Sequence, residues 1–140
     1  MKTPLRYPGG KTRGVNQILE WIPPNCEELC SPFLGGGSLE VAYAQANPDC
    51  KVHAYDIYVP IVWFWQALLT DPALLAKESD KLRVSHEDFE MKNGDGRGLL
   101  NEDFLNIRKE VETAVDKGTF SFENAAKVYA INRSGYSGAT

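Results

Sequence analysis

Phe33-Leu34-Gly35-Gly36-Gly37-Ser38 stands between an extended apolar run and a helical pattern, and Asp56 lies 21 residues after Gly35. Together these residue types could hold a nucleoside. Glycines at such a bend let the backbone turn sharply and come close to a ligand. The helix behind them offers unpaired N–H groups suited to a carboxylate or phosphate. An acid at the end of the following strand is the usual partner of ribose hydroxyls. A plain tight turn beside a solvated aspartate is the competing account, and the strand context with the acid in register favours a nucleoside cofactor. Nicotinamide enzymes share this logic, so the pattern leaves the cofactor open. The unbroken Gly-Gly-Gly-Ser order differs from the spaced Gly-x-Gly-x-x-Gly of dinucleotide sites, which disfavours a pyrophosphate.

Ahead of this block, Pro4-Leu5-Arg6-Tyr7-Pro8-Gly9-Gly10-Lys11 holds two prolines and two glycines. The prolines and glycines fix an irregular loop that presents Tyr7 and Lys11. As a lid, it would offer an aromatic face to a ring or sulfonium and an ammonium to a carboxylate. As an ordered terminus with a solvated lysine, it would need no ligand at all.

The elements that must position these residues are legible in outline. Val15, Ile18, Leu19 and Ile22 recur at helical spacing, so a helix is predicted over 12–22, ended by Pro23-Pro24. Residues 28–33 read as a short strand leading into the glycines, and Ser38 starts a helix to about Ala46. Asn47-Pro48-Asp49 is a turn, and Lys51 to Tyr55 is a second strand ending at Asp56. A third helix holds Ile61, Val62, Trp63, Phe64, Trp65, Leu68 and Leu69; its tryptophans read as core. Asp71-Pro72 opens another short helix. Residues 93–98 read as a surface loop, and further helices are expected over 101–117 and 121–131, with Gly118 as a C-terminal cap. Strand, glycine loop, helix and strand in that order open an α/β fold with a parallel, doubly wound sheet.

The bulk properties set the bounds. At 140 residues, 43% hydrophobic and 24% charged, the composition is that of an ordinary globular domain able to bury roughly 68% of its unfolded surface. Without an apolar run of about 20 residues or a signal-peptide core, no membrane association is expected, and a cytoplasmic location follows by default. Cys26, Cys30 and Cys50 are an odd number without a zinc-ligand spacing, so they read as idle thiols and no metal is expected. The net charge of −4 argues against a general nucleic-acid coat. Yet residues 1–15 hold Lys2, Arg6, Lys11 and Arg13 with no acid, leaving 11 basic against 19 acidic groups elsewhere. That basic head is a phosphate-facing edge or a solvated terminus. Glu87, Asp88 and Glu90 read as a solvated face, and neither His53 nor His86 has a visible nucleophile partner.

Four blocks in order resemble the motif set of Dam-type (D12 class) N6-adenine-specific DNA methyltransferases. They are residues 4–11, then Pro32-Phe33-Leu34-Gly35-Gly36-Gly37-Ser38, then Ala54-Tyr55-Asp56, and finally Tyr129-Ala130-Ile131-Asn132-Arg133-Ser134-Gly135-Tyr136-Ser137-Gly138. The resemblance implies a Rossmann-like S-adenosylmethionine-dependent methyltransferase fold with an incomplete doubly wound, mainly parallel sheet. It implies that the methyl donor S-adenosylmethionine is held by Tyr7, Lys11, Phe33, Gly35, Gly37, Ser38 and Asp56, with Lys11 near its carboxylate and Asp56 on its ribose. Arg133 and Tyr136 would lie near DNA recognition. About 1–70 would be the donor-binding half, and about 71–140 a helical segment leading to recognition and catalytic regions.

Two departures bear on function. The family commonly has an acid just before Pro-Phe, where this chain has Ser31, so one donor contact is expected to weaken. The family's catalytic Asp-Pro-Pro-Tyr segment occurs nowhere in the sequence; Pro23-Pro24 is flanked by Ile22 and Asn25 and reads as a helix breaker. A methyltransferase must extrude, stack and polarise its target adenine, so residues 1–140 alone are expected to hold the donor without methylating DNA. A C-terminal continuation or a complementary chain would supply the base pocket. The rival expectations are a donor-binding module without chemistry, a fragment that self-associates through an open sheet edge, and a nicotinamide-binding reductase.

Overall fold

The computed structural model describes residues 3–23, 26–82 and 101–135. Two compact units divide the chain, residues 1–57 and 58–140.

The first unit is mixed α/β. A single turn of 3-10 helix, Lys11–Arg13, leads through Gly14 into helix α1, Val15–Leu19. The helix expected over 12–22 is therefore broken and short. Gly14 sits at φ −106 and ψ 1, outside helical geometry, and glycine in mid-helix costs up to about 1 kcal/mol relative to alanine. Beyond Leu19 the helix does not continue: Trp21 is 86% exposed, and Ile22 is half-buried.

Strand β1 is Glu28–Ser31, helix α2 is Ser38–Ala46 and strand β2 is Lys51–Ala54. The strands pair in parallel, in the register Glu28 with Lys51 through Ser31 with Ala54. A parallel pair requires a crossover, and α2 supplies it, packing against both β2 and α1. Pro32 lacks the N–H that would extend the ladder, which ends β1 two residues earlier than the expected 28–33. Among the described residues this two-stranded sheet is what stands of the expected doubly wound sheet. Leu5, Val15 and Tyr43 form the buried apolar centre of the unit.

The second unit is helical among its described residues. Helix α3 is Val59–Thr70, α4 is Pro72–Lys81, α5 is Asn101–Asp116 and α6 is Phe122–Ser134. Asp71 and Ser121 cap α4 and α6 by accepting the amides of Leu74 at 2.9 Å and Asn124 at 3.0 Å, each satisfying one of the donors a helix start leaves open. Gly118, at φ +62, ends α5 with its own amide on Val115 and that of Thr119 on Ala114, the left-handed terminator expected of glycine. Ala125 and Ala126 are fully buried on α6, so α3, α4 and α5 all pack closely against that helix. Trp63 and Trp65 are core residues, as their apolar neighbours suggest. Phe64, 1% exposed, stacks on Tyr129 with ring centroids 5.5 Å apart. No described helix is long and apolar enough to cross a membrane. Glu87, Asp88, Glu90, His86 and the expected loop over 93–98 lie outside the described residues.

A glycine-lined cleft as candidate functional site

The bend after β1 is fixed by a short series of rungs. Tyr55 donates its amide to Ser31 O at 2.8 Å, Leu34 donates to Tyr55 O at 2.8 Å, and the Gly35 amide donates to Asp56 Oδ2 at 2.7 Å. The strand ladder thus passes from backbone acceptors to a carboxylate, and the charge shortens and strengthens the last bond. Gly35 at φ +49 and Gly37 at φ +67 occupy left-handed backbone that side chains disfavour. Gly37 is the residue before α2, which starts at Ser38 with no side chain capping it.

The N-terminal loop folds over this bend. Thr3 Oγ1 donates to Gly36 O, and Tyr7 and Gly10 close a turn through a 2.9 Å backbone bond. The Tyr7 ring lies on the glycines: a Cβ added to Gly35 would meet Tyr7 Cε1 at 2.9 Å, and one on Gly36 would meet Tyr7 Cβ at 2.8 Å. The glycines therefore admit an aromatic ring of the chain itself. The close approach expected for a ligand is, at these two positions, made by Tyr7. Thr12 and Ser38 hydroxyls meet at 3.0 Å, joining the loop to the start of α2.

Around the bend lies a cleft of about 610 Å³, within the usual range for small-molecule sites. All seven residues expected to hold a donor line it: Tyr7, Lys11, Phe33, Gly35, Gly37, Ser38 and Asp56. Phe33 is 85% exposed, an aromatic face at the rim. Lys11 is exposed, and among the described residues its Nζ bonds the Gly9 carbonyl at 3.1 Å and no carboxylate, so its charge is available to an anion. Asp56 is half-buried and held by Gly35.

Sequence reasoning missed one wall of this cleft. Glu40, on the first turn of α2, is 8% exposed, and its carboxylate accepts a hydrogen bond from Ser31 Oγ. The signal was its spacing: Glu40 stands three residues before Tyr43, on the buried face of the helix. The position where the family's acid is replaced by Ser31 thus adjoins a carboxylate from α2.

The other expected residues belong to the second unit. Arg133 is exposed in the last turn of α6, and Tyr136 lies outside the described residues. Cys26, Cys30 and Cys50 are free thiols. Beside the first and last of these, the Tyr43 hydroxyl is buried. Burial first, then the neighbouring Cys50 and Cys26 thiols, push it up to about 12, which keeps it neutral.

No curated protein matches the chain. The family model of the D12 class N6 adenine-specific DNA methyltransferases matches residues 7–140, a span that takes in the loop, the glycine bend, Asp56 and α6, and the chain belongs to that family.

Proposed function

We propose that the cleft of residues 1–57 holds S-adenosylmethionine, and that the chain provides the donor site for methyl transfer to the N6 amine of adenine in DNA. One observation supports this reading above the others: three separate segments, the Tyr7–Lys11 loop, the Gly35–Gly37 bend and Asp56, surround one cleft. The chemistry of the lining suits such a ligand. An exposed phenyl ring offers stacking to adenine, a preoriented carboxylate suits ribose hydroxyls, and an exposed ammonium suits an amino-acid carboxylate. The ligand supplies an electrophilic methyl on sulfur. The chain's own residues bind and orient it, so that the methyl is held in place for attack by the amine.

In this reading the two paired strands begin a larger, doubly wound sheet. Arg133 and Tyr136 would take part in DNA recognition, and the groups that grip the flipped adenine are not among residues 1–140, since no Asp-Pro-Pro-Tyr segment occurs in the sequence. The chain alone then binds the donor without turnover. Calorimetry with S-adenosylmethionine, paired with a tritium-transfer assay on adenine-containing DNA, tests both halves. Micromolar binding with no transfer is expected; clear turnover by residues 1–140 would overturn the second half, and absence of binding the first.

A further inference from the structure

Glu40 is a buried carboxylate in the wall of the cleft, and among the described residues it forms no ion pair. It is 8% exposed, and its hydrogen-bond donor is the neutral Ser31 hydroxyl. Among the described residues no lysine, arginine or histidine pairs with it. Glu40 is the third residue of α2, where a glutamate commonly reaches back to the amide before the helix. Here that amide, Gly37 N–H, donates instead to Leu34 O at 2.9 Å, and the carboxylate turns to Ser31 at the end of β1. The helix N-terminus favours a negative charge by about 0.3–1 kcal/mol, well short of the several kcal/mol that desolvating an ion costs. A carboxylate in this state would gain from a cation brought into the cleft by a ligand. Both Ser31 and Glu40 line the cleft, as does Lys11.

We propose that Glu40, oriented by Ser31, recognises the α-ammonium of the ligand's amino-acid tail, while Lys11 takes its carboxylate. The cleft then selects a zwitterionic tail through one charge of each sign. This inference rests on the reading of the cleft as the methyl-donor site, and it adds a residue whose role Ser31 alone could not fill.

The test is calorimetry on the full chain with two ligands: S-adenosylhomocysteine and its analogue in which the α-amine is replaced by hydrogen. Glu40→Gln keeps the shape and the acceptor for Ser31 but removes the charge. It is expected to weaken S-adenosylhomocysteine about 10-fold or more and to leave the analogue within about 2-fold of the parent. Ser31→Ala is expected to give a smaller loss, again only for the amine-bearing ligand, and it keeps the question answerable if Glu40→Gln is unstable. Asp56→Ala weakens both ligands alike. Equal binding of S-adenosylhomocysteine by parent and Glu40→Gln, or an equal loss for both ligands, overturns the inference while leaving the donor site standing. A parent chain that binds neither ligand overturns the donor site itself, and this inference with it.

Discussion

Asp56 Oδ2 accepts the Gly35 amide at 2.7 Å, so the tip of β2 and the bend after β1 hold one another across a gap of 21 residues. The backbone rungs just before it, Tyr55 to Ser31 and Leu34 to Tyr55, fix the approach of the two segments. The carboxylate is oriented before any ligand arrives, and such preorganisation lowers the entropy cost of binding. Asp56→Ala is expected to weaken S-adenosylhomocysteine by ~1–3 kcal/mol. Asp56→Asn keeps an acceptor for Gly35 and should lose less. Titration calorimetry on the parent and both variants decides this. Equal affinities across the three would remove Asp56 from the site.

Tyr7 and the glycines yield a prediction about steric cause. On Gly35 the Cβ would strike ring atoms of Tyr7, but on Gly36 it would strike Tyr7 Cβ, which even alanine retains. Each single Gly→Ala variant is expected to lose about 1–3 kcal/mol by overpacking. Tyr7→Ala should recover part of the loss from Gly35→Ala, leaving about 1–2 kcal/mol for the left-handed backbone, and little of the loss from Gly36→Ala. Urea denaturation of the single and double variants measures the difference. Equal rescue at both positions would contradict the observed packing.

Lys11 should act through charge. Its removal, Lys11→Ala, is expected to weaken S-adenosylhomocysteine by ~1–3 kcal/mol at low salt. Because the side chain is exposed, screening should narrow the gap between parent and variant as salt rises toward 1 M. Calorimetry at two salt concentrations checks this; a gap that ignores salt would argue for a packing role.

Within the helical unit, Lys127 joins α5 to α6. Its Nζ lies 2.8 Å from Glu110 and 2.6 Å from Glu123, and its side chain is only 13% exposed. The hydrogen bond from Lys127, helped by its charge, holds the Glu123 carboxyl below the usual range. Burial pushes Lys127 down, but the hydrogen bonds to Glu110 and Glu123 and their charges outweigh it, so the net shift is upward. The lowered carboxyl stabilises the fold above its unfolded value and loses that effect as pH falls through the folded one. The raised ammonium stabilises below its unfolded value and loses the effect as pH rises through the folded one. Lys127→Met should therefore cost about 1 kcal/mol near neutrality, with the gap to the parent shrinking toward both acid and strongly alkaline pH. Thermal melts across pH measure this, and a pH-independent gap would show that packing alone is at stake.

The parts of this molecule that local chemistry specifies were legible from the residues. The Gly118 terminator, the Asp71 cap and the β1–α2–β2 order depend on neighbours within a few positions, and the elements fall within a few residues of expectation. The helix over 12–22 is shorter than its apolar spacing predicts because the backbone departs from helix at Gly14. What escaped was long-range: Tyr7 lying on Gly35 and Gly36, and Glu40 meeting Ser31. Such contacts arise only when the loop, the bend and α2 are brought together, and neither charge nor spacing states which partner a side chain will find.

The most direct test of the donor site is a crystal structure of residues 1–140 with S-adenosylhomocysteine. The ligand is expected in the glycine-lined cleft, its ribose within hydrogen-bond reach of Asp56 and its amino-acid tail toward Lys11. A ligand bound elsewhere, or a cleft left empty at saturating ligand, would contradict the assignment.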